Sequence, residues 1–281
     1  MPVTNTPLRY PGGKSQLTPF VVEVLRANNL FYGSYAEPFA GGCGIAWTLL
    51  LNRYVTEIYI NDIDRSIHAF WASALKETDA LCERIETTPV TIEEWHRQKE
   101  IQRASRPKRL DLGFSTLFLN RTNRSGILKG GVIGGLQQNG NYKLDCRFNR
   151  KDLIGKLRRI AHYKDSVHLF CMDAEQFIRH ELPKMERNAL VNIDPPYYRA
   201  GPELYTRFYE HDDHVNLAKA VSAIKQRWMV TYDDSPEIRN IYRKYPMRTQ
   251  ELTYYAQVKR TGVELLILDP KLKLPDERVA A

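Results

Sequence analysis

The sequence of 281 residues contains no run of about 18 apolar residues, the length that a membrane-spanning helix requires. Its first ten residues, MPVTNTPLRY, also lack the apolar core of a secretory signal. The four cysteines are far apart and none forms a CxxC pair, which argues against a zinc site or a disulfide framework. We therefore expect a soluble intracellular protein with reduced thiols, no membrane segment and no bound metal.

Internal repeats and low-complexity tails are absent as well. Hydrophobic residues make up 43% of the chain, which excludes a disordered or fibrous protein. Positive charge is in excess, because 41 Lys and Arg residues face 33 Asp and Glu residues and give a formal net charge of +8. Such an excess favours a polyanionic partner, of which nucleic acid is the first candidate.

Four short apolar segments each end on an acidic residue or a glycine turn. They are YAEPFAGGCG (35–44), VTEIYINDID (55–64), SVHLFCMD (166–173) and NALVNIDPPYY (188–198). A helical pattern over 212–226, the strand RWMVTYD (227–233) and the β-like runs RTQELTYYAQV and VELLILDP follow. Strands that alternate with helices predict an α/β fold with a mostly parallel sheet. Ligands of such sheets bind at the carboxyl ends of the strands, where these acids lie.

The alternation stops between residues 65 and 160. This region contains helical patterns, a Thr91-x-x-Glu94 capping sequence, the glycine-rich loop RTNRSGILKGGVIGGLQQNGN and a basic helix over 150–164. We interpret it as a module inserted between two parts of the sheet. The predicted domains are therefore 1–64 with 161–281, and the insertion 65–160.

Two glycine-containing motifs are candidate ligand sites. RYPGGKS (9–15) is not a P-loop, because the glycine required five positions before Gly13 is replaced by Leu8. Its glycines indicate either a structural turn or close approach to a charged ligand. In EPFAGGCG (37–44), glycines between a strand and a helix would let a nucleotide-like ligand reach the helix N-terminus. Asp62 ends the next strand, where an acid can bind ribose hydroxyls, and the GGCG spacing disfavours NAD.

DPPYY (194–198) is the sharpest motif. Its simplest interpretation is a tight proline turn with Tyr197 in the core. However, Pro195 and Pro196 have no N–H groups, so carbonyls here can face a ligand without competing donors. Asp194 adds a second acceptor, and Tyr197 adds a flat aromatic face. Two adjacent acceptors suit the two protons of an exocyclic amine, so the motif predicts a stacked, aminated nucleobase.

In their order along the chain, RYPGGK, EPFAGGCG, YINDID, LNRTNRSG and DPPYY resemble the Dam-type (D12 class) N6-adenine DNA methyltransferases. The resemblance implies a Rossmann-like class I methyltransferase core with S-adenosyl-L-methionine as donor and S-adenosyl-L-homocysteine as product. It also implies that 65–160 is a target-recognition insertion that binds double-stranded DNA, and that the target adenine is flipped out. A monomeric protein in the cytoplasm of a prokaryotic or phage-infected cell, as in restriction-modification, would fit this family.

The residues that match the family's motifs carry the implied roles. Catalysis is assigned to Asp194, Pro195, Pro196 and Tyr197. Cofactor binding is assigned to Tyr10, Lys14, Glu37, Pro38, Phe39, Gly41, Gly44, Asp62, Asp173 and Asp194, and DNA binding to Asn120, Arg121, Asn123, Arg124 and Lys129. Lys14 would face either the methionine carboxylate or a DNA phosphate. Arg124 and Ser125 replace an aromatic residue and an Asn common in the family, so a GATC target does not carry over.

An aspartate is too weak a base to remove an amine proton in advance, so Asp194 is expected to polarise and orient the amine. Two other functions stay open at this point. One is RNA adenine-N6 methylation, because the motif reports the amine and not the sugar. The other is a non-catalytic DNA-binding relative, which the intact motifs argue against. Asp194 disfavours cytosine-N4 and protein-glutamine methylation, whose motifs more often read SPPY and NPPY.

Overall fold

The computed structural model describes residues 4–9, 14–199, 209–255 and 259–275. These residues form two compact units, one within 14–63 and 166–281 and the other within 1–13 and 64–165. We call them the sheet unit and the helical unit. Within the described ranges, no helix combines the length and the apolar character needed to cross a membrane.

The sheet unit contains a seven-stranded sheet with the order β3-β2-β1-β4-β5-β7-β6. The strands β1 to β5 are mutually parallel, and β7 is antiparallel to both of its neighbours. The strands are β1 Ser34–Glu37, β2 Glu57–Asn61, β3 Val167–Phe170, β4 Ala189–Ile193, β5 Arg227–Asp233, β6 Met247–Tyr255 and β7 Lys259–Leu268. This arrangement confirms the expected Rossmann-like α/β core, with its β-like C-terminal runs forming an antiparallel pair.

The strand order reverses direction between β1 and β4. From β1 the chain continues outward to β2 and β3, whereas β4 continues to β5 on the other side. In open parallel sheets the crevice at such a reversal is where ligands bind. Glu37 ends β1 and Asp194 directly follows β4, so the fold places the EPF and DPPY segments at this point.

The described helices of the sheet unit precede its first strand or lie between its strands. They are α1 Thr18–Ala27, α2 Gly44–Leu51, α8 Ala174–His180, α9 His211–Val221 and α10 Pro236–Ile241. Phe177 of α8, Leu217 of α9 and Trp228 of β5 belong to one buried apolar cluster. The prediction that a helix extends over 212–226 is wrong at its end, because α9 ends at Val221. Beyond it the Gln226 amide turns inward and donates to the carbonyls of Leu182 and Met185, at 2.8 and 3.2 Å.

The helical unit contains α3 Arg65–Lys76, α4 Thr78–Thr87, α5 Ile92–Arg103, α6 Arg109–Thr122 and α7 Arg150–Ala161. The predicted N-cap is confirmed, since the Thr91 side chain accepts from the Glu94 backbone N–H. Helix α6 packs closely on α3. A Cβ on Gly113 would lie 2.8 Å from the carbonyl oxygen of Ala69, so glycine is required at this approach. The basic helix predicted to reach residue 164 ends at Ala161.

Candidate active site and nucleic-acid interface

The DPPY turn is held by β5. The Thr231 hydroxyl donates to Asp194 Oδ1 at 2.8 Å. The backbone N–H groups of Tyr198 and Arg199 donate to the two carboxylate oxygens of Asp233, at 2.8 and 3.1 Å. The Asp194 side chain remains 28% exposed. The carboxylate is therefore oriented by Thr231 and is still partly open to solvent.

Lys14 lies against this motif from within the sheet unit. Its Nζ donates to the Tyr197 hydroxyl at 2.6 Å and lies 3.3 Å from Asp194 Oδ1. The ammonium is also 4.6 Å from the centre of the Tyr197 ring, in cation–π range. The whole residue is only 5% exposed. The structure thus joins the catalytic candidates Asp194 and Tyr197 to a lysine from the N-terminal motif.

Glu264 of β7 completes this cluster and was not found by sequence reasoning. Its Oε1 accepts from the Tyr197 hydroxyl at 2.6 Å, and its Oε2 lies 3.5 Å from Lys14 Nζ. Burial raises the pKa of Glu264 to about 7, and the nearby Lys14 opposes that rise. The one signal in the sequence is an acid inside the apolar run VELLIL, which does not reveal its partners.

The glycine turn after β1 is fixed by the end of β2. Gly41 and Cys43 have φ values of +48° and +50°, so the chain turns sharply before α2 begins at Gly44. The Gly41 N–H donates to Asp62 Oδ2 at 2.9 Å. Asn61, which is fully buried, donates to the carbonyls of Pro38 and Met172 at 2.9 and 3.0 Å. Asn61 of β2 therefore links the segments that follow β1 and β3 by hydrogen bonds. The sequence did not indicate this role.

Glu37 is a buried acid at the same edge of the sheet. It is 6% exposed, and the Tyr35 hydroxyl donates to its Oε1 at 3.1 Å. Burial raises the pKa of Glu37 to about 8, with a further contribution from the charge of Asp194. A carboxyl group in this state would be stabilised as an anion by any cation bound beside it.

The remaining cofactor candidates follow the same strand ends. Phe39 and Gly44 lie in the segment after β1, and Asp173 lies just after β3. Asp173 Oδ1 caps α8 by accepting from the N–H groups of Glu175 and Gln176, at 2.9 and 3.2 Å. Tyr10 lies outside the described residues. The described candidates from β1, β2, β3 and β4 therefore occupy the carboxyl edge of one sheet.

In the helical unit, two of the predicted DNA-binding residues are buried. Asn120 is 1% exposed and bonds both backbone groups of Arg9 and the Gly126 carbonyl. Asn123 is 0% exposed, accepts from Trp95 Nε1 at 2.6 Å and donates to the carbonyls of Ile127 and Leu128. Their amides are used to hold the glycine-rich loop. Direct DNA contact by either residue stays a prediction.

Arg121, Arg124 and Lys129 differ in their exposure. The Arg121 side chain is 12% exposed and lies 4.0 Å from Asp152, and burial lowers its pKa to about 10. Arg124 and Lys129 are exposed. Of the five residues predicted to bind DNA, only Arg124 and Lys129 expose a charged side chain to solvent.

A cavity of about 340 Å³ opens on the same unit. Positive side chains from α5, Lys99 and Arg103, line it together with Arg124 and the ring of Trp95. Lys99 Nζ lies 5.3 Å from the Trp95 ring centre, and Arg103 also contacts Glu100 at 2.6 Å. Its lining also includes His96, Gly131, Val132, Gly135 and Leu136. Proteins that bind nucleic acids commonly use cations to contact the phosphates and aromatic rings to stack on the bases. Sequence reasoning had not assigned α5 any such role.

No group of three or more His, Cys, Asp or Glu side chains is placed to hold a metal ion in the part of the chain that the structure describes. The polar groups at the sheet edge are instead carboxylates, a lysine and backbone amides. These groups suit an organic ligand that carries positive charge and hydroxyl groups.

Comparison with known proteins identifies a family whose model matches this chain. The family model described as D12 class N6 adenine-specific DNA methyltransferase matches residues 10–259. The type II methyltransferase M.MjaIII of Methanocaldococcus jannaschii is 22% identical over 244 residues, which cover 78% of this chain and 80% of that protein.

Two solved structures were also found to be similar. The rRNA methyltransferase aviRa of Streptomyces viridochromogenes has 14% identity and a TM-score of 0.44, with 92% of this chain and 85% of that chain covered. A SAM-dependent methyltransferase of Agrobacterium tumefaciens has 11% identity and a TM-score of 0.40, with 92% and 61% covered. The strand order of the sheet itself establishes the fold.

Proposed function

Because the chain belongs to the D12 class of N6 adenine-specific DNA methyltransferases, we propose that its sheet edge binds S-adenosylmethionine beside a flipped-out adenine of double-stranded DNA. Family membership identifies the chain as an adenine-specific DNA methyltransferase, as its motifs predicted. It favours DNA over the RNA alternative and an enzyme over a non-catalytic relative.

The observation that carries the catalytic assignment is the setting of Asp194. Its carboxylate follows β4 at the reversal of strand order, is oriented by Thr231 at 2.8 Å, and remains 28% exposed. Together with the Pro195 carbonyl it offers two acceptors to the two protons of an adenine N6 amine. These hydrogen bonds favour a pyramidal nitrogen whose lone pair is free to attack.

Tyr197 supplies the surface on which the extruded base stacks. Turning a base out of a duplex requires a few kcal/mol, and stacking on an aromatic ring offsets about 1–3 kcal/mol of it. The Tyr197 hydroxyl is held by Lys14 and Glu264, so the ring plane is fixed before DNA binds. Asp194 and Tyr197 therefore bring the amine to one position, and proximity to the donor provides much of the rate.

The residues at the carboxyl edge fit the cofactor that the family uses. S-adenosylmethionine, when bound, supplies a methyl group activated by a sulfonium charge. Glu37 is a buried acid whose raised pKa would fall beside such a cation. Asp62 already accepts from Gly41 and directly follows β2, where a carboxylate is positioned for ribose hydroxyls. The glycine turn leaves the backbone at Gly41 without a side chain in the way.

We assign target recognition to the helical unit, which spans the predicted insertion 65–160. Arg124 and Lys129 are the exposed members of the predicted set, and Lys99 and Arg103 add positive charge from α5. Phosphate contacts from such residues position the duplex, whereas base-edge contacts specify sequence. Asn120 and Asn123 support these contacts by holding the loop.

A methyl-transfer assay tests the proposal. Labelled S-adenosylmethionine and unmethylated genomic DNA are supplied, and 6-methyladenine is detected in the product by sequencing. Asp194→Ala should abolish transfer while cofactor binding, measured by calorimetry, largely survives. Asp234→Ala is the matched control, since this acid contacts Arg239 at 2.6 Å on the surface and should leave the activity unchanged. An active Asp194→Ala enzyme, or a wild-type product without 6-methyladenine, would contradict the assignment.

A further inference from the structure

Strand β7 turns its acid inward and its valine outward. Glu264 is 2% exposed, whereas the adjacent Val263 is 47% exposed. The solvation of the two side chains favours the opposite arrangement, because burying an ionised carboxylate is costly and burying a valine is favourable. A buried acid is tolerated where charged or hydrogen-bonding partners compensate for its desolvation. The contacts of Glu264 therefore explain why it is buried.

Those contacts join Glu264 to the catalytic motif. Glu264 Oε1 accepts from the Tyr197 hydroxyl at 2.6 Å, and that hydroxyl accepts from Lys14 Nζ at 2.6 Å. Glu264 Oε2 lies 3.5 Å from the same Nζ, and Asp194 Oδ1 lies 3.3 Å from it on another side. One ammonium is thus shared by two carboxylates and a phenol.

We propose that Glu264 is a positioning residue for methyl transfer, which holds the Tyr197 ring for stacking and shares the Lys14 ammonium with Asp194, so that Asp194 does not carry the whole ion pair. The inference rests on the proposed function of Asp194 and Tyr197. An ammonium has three donors, and oxygens of Tyr197, Asp194 and Glu264 lie 2.6, 3.3 and 3.5 Å from that of Lys14. Without Glu264, the existing ion pair between Lys14 and Asp194 would strengthen, and Lys14 would compete more strongly with the substrate amine for Asp194.

The charge of Glu264 matters for this role as well as its shape. Lys14, Tyr197 and Asp194 are the titratable groups that face it. Protonation of Glu264 below its pKa of about 7 removes the attraction for Lys14. At saturating cofactor and DNA, the wild-type rate should therefore fall as the pH drops below 7. Glu264→Gln should lack that step, because its amide does not titrate.

The first test compares three variants in single-turnover methyl transfer, with labelled S-adenosylmethionine and unmethylated genomic DNA. Glu264→Ala should lower the rate about 100-fold, the size expected when a reacting group is slightly misplaced. Glu264→Gln keeps an acceptor for Tyr197 and should lose only about tenfold. Glu251→Ala is the control, an exposed acid on the adjacent strand β6 whose register partner is Val263. In all three variants the affinity for S-adenosylmethionine should stay at the wild-type value.

The second test asks whether Glu264 acts through the Tyr197 hydroxyl. In a double-mutant cycle with Tyr197→Phe, the second change Glu264→Ala should reduce the rate much less than it does alone. A wild-type rate in Glu264→Ala, or fully additive losses in the cycle, would overturn the inference. If Glu264→Ala fails to fold, Glu264→Gln decides, since an unchanged rate and pH profile in that variant would overturn it too. A wild-type enzyme that transfers no methyl group to DNA would overturn the proposed function itself.

Discussion

The Lys14 ammonium donates a 2.6 Å hydrogen bond to the hydroxyl of Tyr197, a residue 183 positions later in the chain. From the sequence, Lys14 could face either the methionine carboxylate of the cofactor or a DNA phosphate. In the structure the side chain is buried, and its charge faces the Tyr197 phenol and the carboxylates of Asp194 and Glu264. Lys14 thus links the N-terminal motif to the catalytic turn inside one unit.

Because of this contact, we expect substitutions of Lys14 and of a surface lysine to have different effects on methyl transfer and on the salt dependence of DNA binding. Lys14→Ala should lower the rate of methyl transfer and leave the salt dependence of DNA binding unchanged, because the ammonium is not available to a phosphate. Lys129→Ala, at an exposed position, should weaken binding to all sequences and reduce the salt slope by about 1. Binding isotherms at several salt concentrations measure both slopes. A reduced slope in Lys14→Ala would place that lysine on DNA after all.

Cofactor binding should depend on pH through Glu37. Its pKa is raised to about 8, so the acid is mostly protonated at pH 6 and 7 in the free protein. A bound cation requires the anion, so binding must release a proton. The affinity for S-adenosylmethionine should therefore rise about tenfold per pH unit between pH 6 and 7.5. Calorimetry in buffers of different ionisation enthalpy measures the released proton.

Glu37→Gln provides the control for that experiment. It keeps the size of the side chain and can still accept from the Tyr35 hydroxyl. The variant should bind more weakly at pH 7.5 and show no pH slope over the same range. A slope that persists in Glu37→Gln would assign the titration to another group.

Substitutions of the two acids in YINDID, Asp62 and Asp64, should affect cofactor binding and protein stability separately. Asp62 Oδ2 accepts from the Gly41 N–H of the glycine turn, whereas Asp64 caps α3 by accepting from the Ser66 N–H. Asp62→Ala should weaken S-adenosylmethionine binding by about 10- to 100-fold, the loss expected for charge-assisted hydrogen bonds. Asp64→Ala should lower the free energy of unfolding by about 1 kcal/mol and leave cofactor affinity intact. Equal effects of the two changes on cofactor affinity would exclude a specific role for Asp62.

Substitutions of the adjacent residues Asn123 and Arg124 should separate a loss of stability from a loss of DNA sequence recognition. Asn123→Ala leaves the buried Trp95 N–H without its acceptor, and the unfolding free energy should fall by about 3 kcal/mol. Arg124→Ala changes an exposed side chain, so the melting temperature should stay near the wild-type value while discrimination between DNA sequences is lost. Thermal unfolding and methylation mapping on genomic DNA give the two readouts. Retained discrimination in Arg124→Ala would remove this arginine from the readers.

Much of the fold was predictable from periodicity alone. Apolar segments followed directly by acids, as at Asp62 and Asp194, predicted both the strands of the sheet and the edge at which ligands are expected. The end of α9 was not predictable, because the apolar spacing continues to Ile224 while the Gln226 amide bonds two distant carbonyls. A long-range hydrogen bond of this kind leaves no local pattern.

The same limit applies to the site. The motifs identified Asp194 and Tyr197, but the roles of Glu264 and Asn61 depend on partners that only the folded chain brings together. Conversely, Asn120 and Asn123 stand within a family motif and so were assigned to DNA. The structure uses both amides inside the helical unit, because a glycine-rich loop has few other groups to satisfy its backbone.

Burial of Glu264 also bears on how β7 finds its place beside β5. Leu265, Leu266, Ile267 and Leu268 are all buried, so this segment has no apolar–polar alternation to oppose a shift by one residue. Such a shift would bring Val263 opposite Asp233 in place of Glu264 and would strand the Lys14 charge without one of its counter-ions. A single carboxylate thereby resolves an ambiguity that hydrophobicity leaves open, and the correct alignment of the last strands is selected by the same group that serves the chemistry.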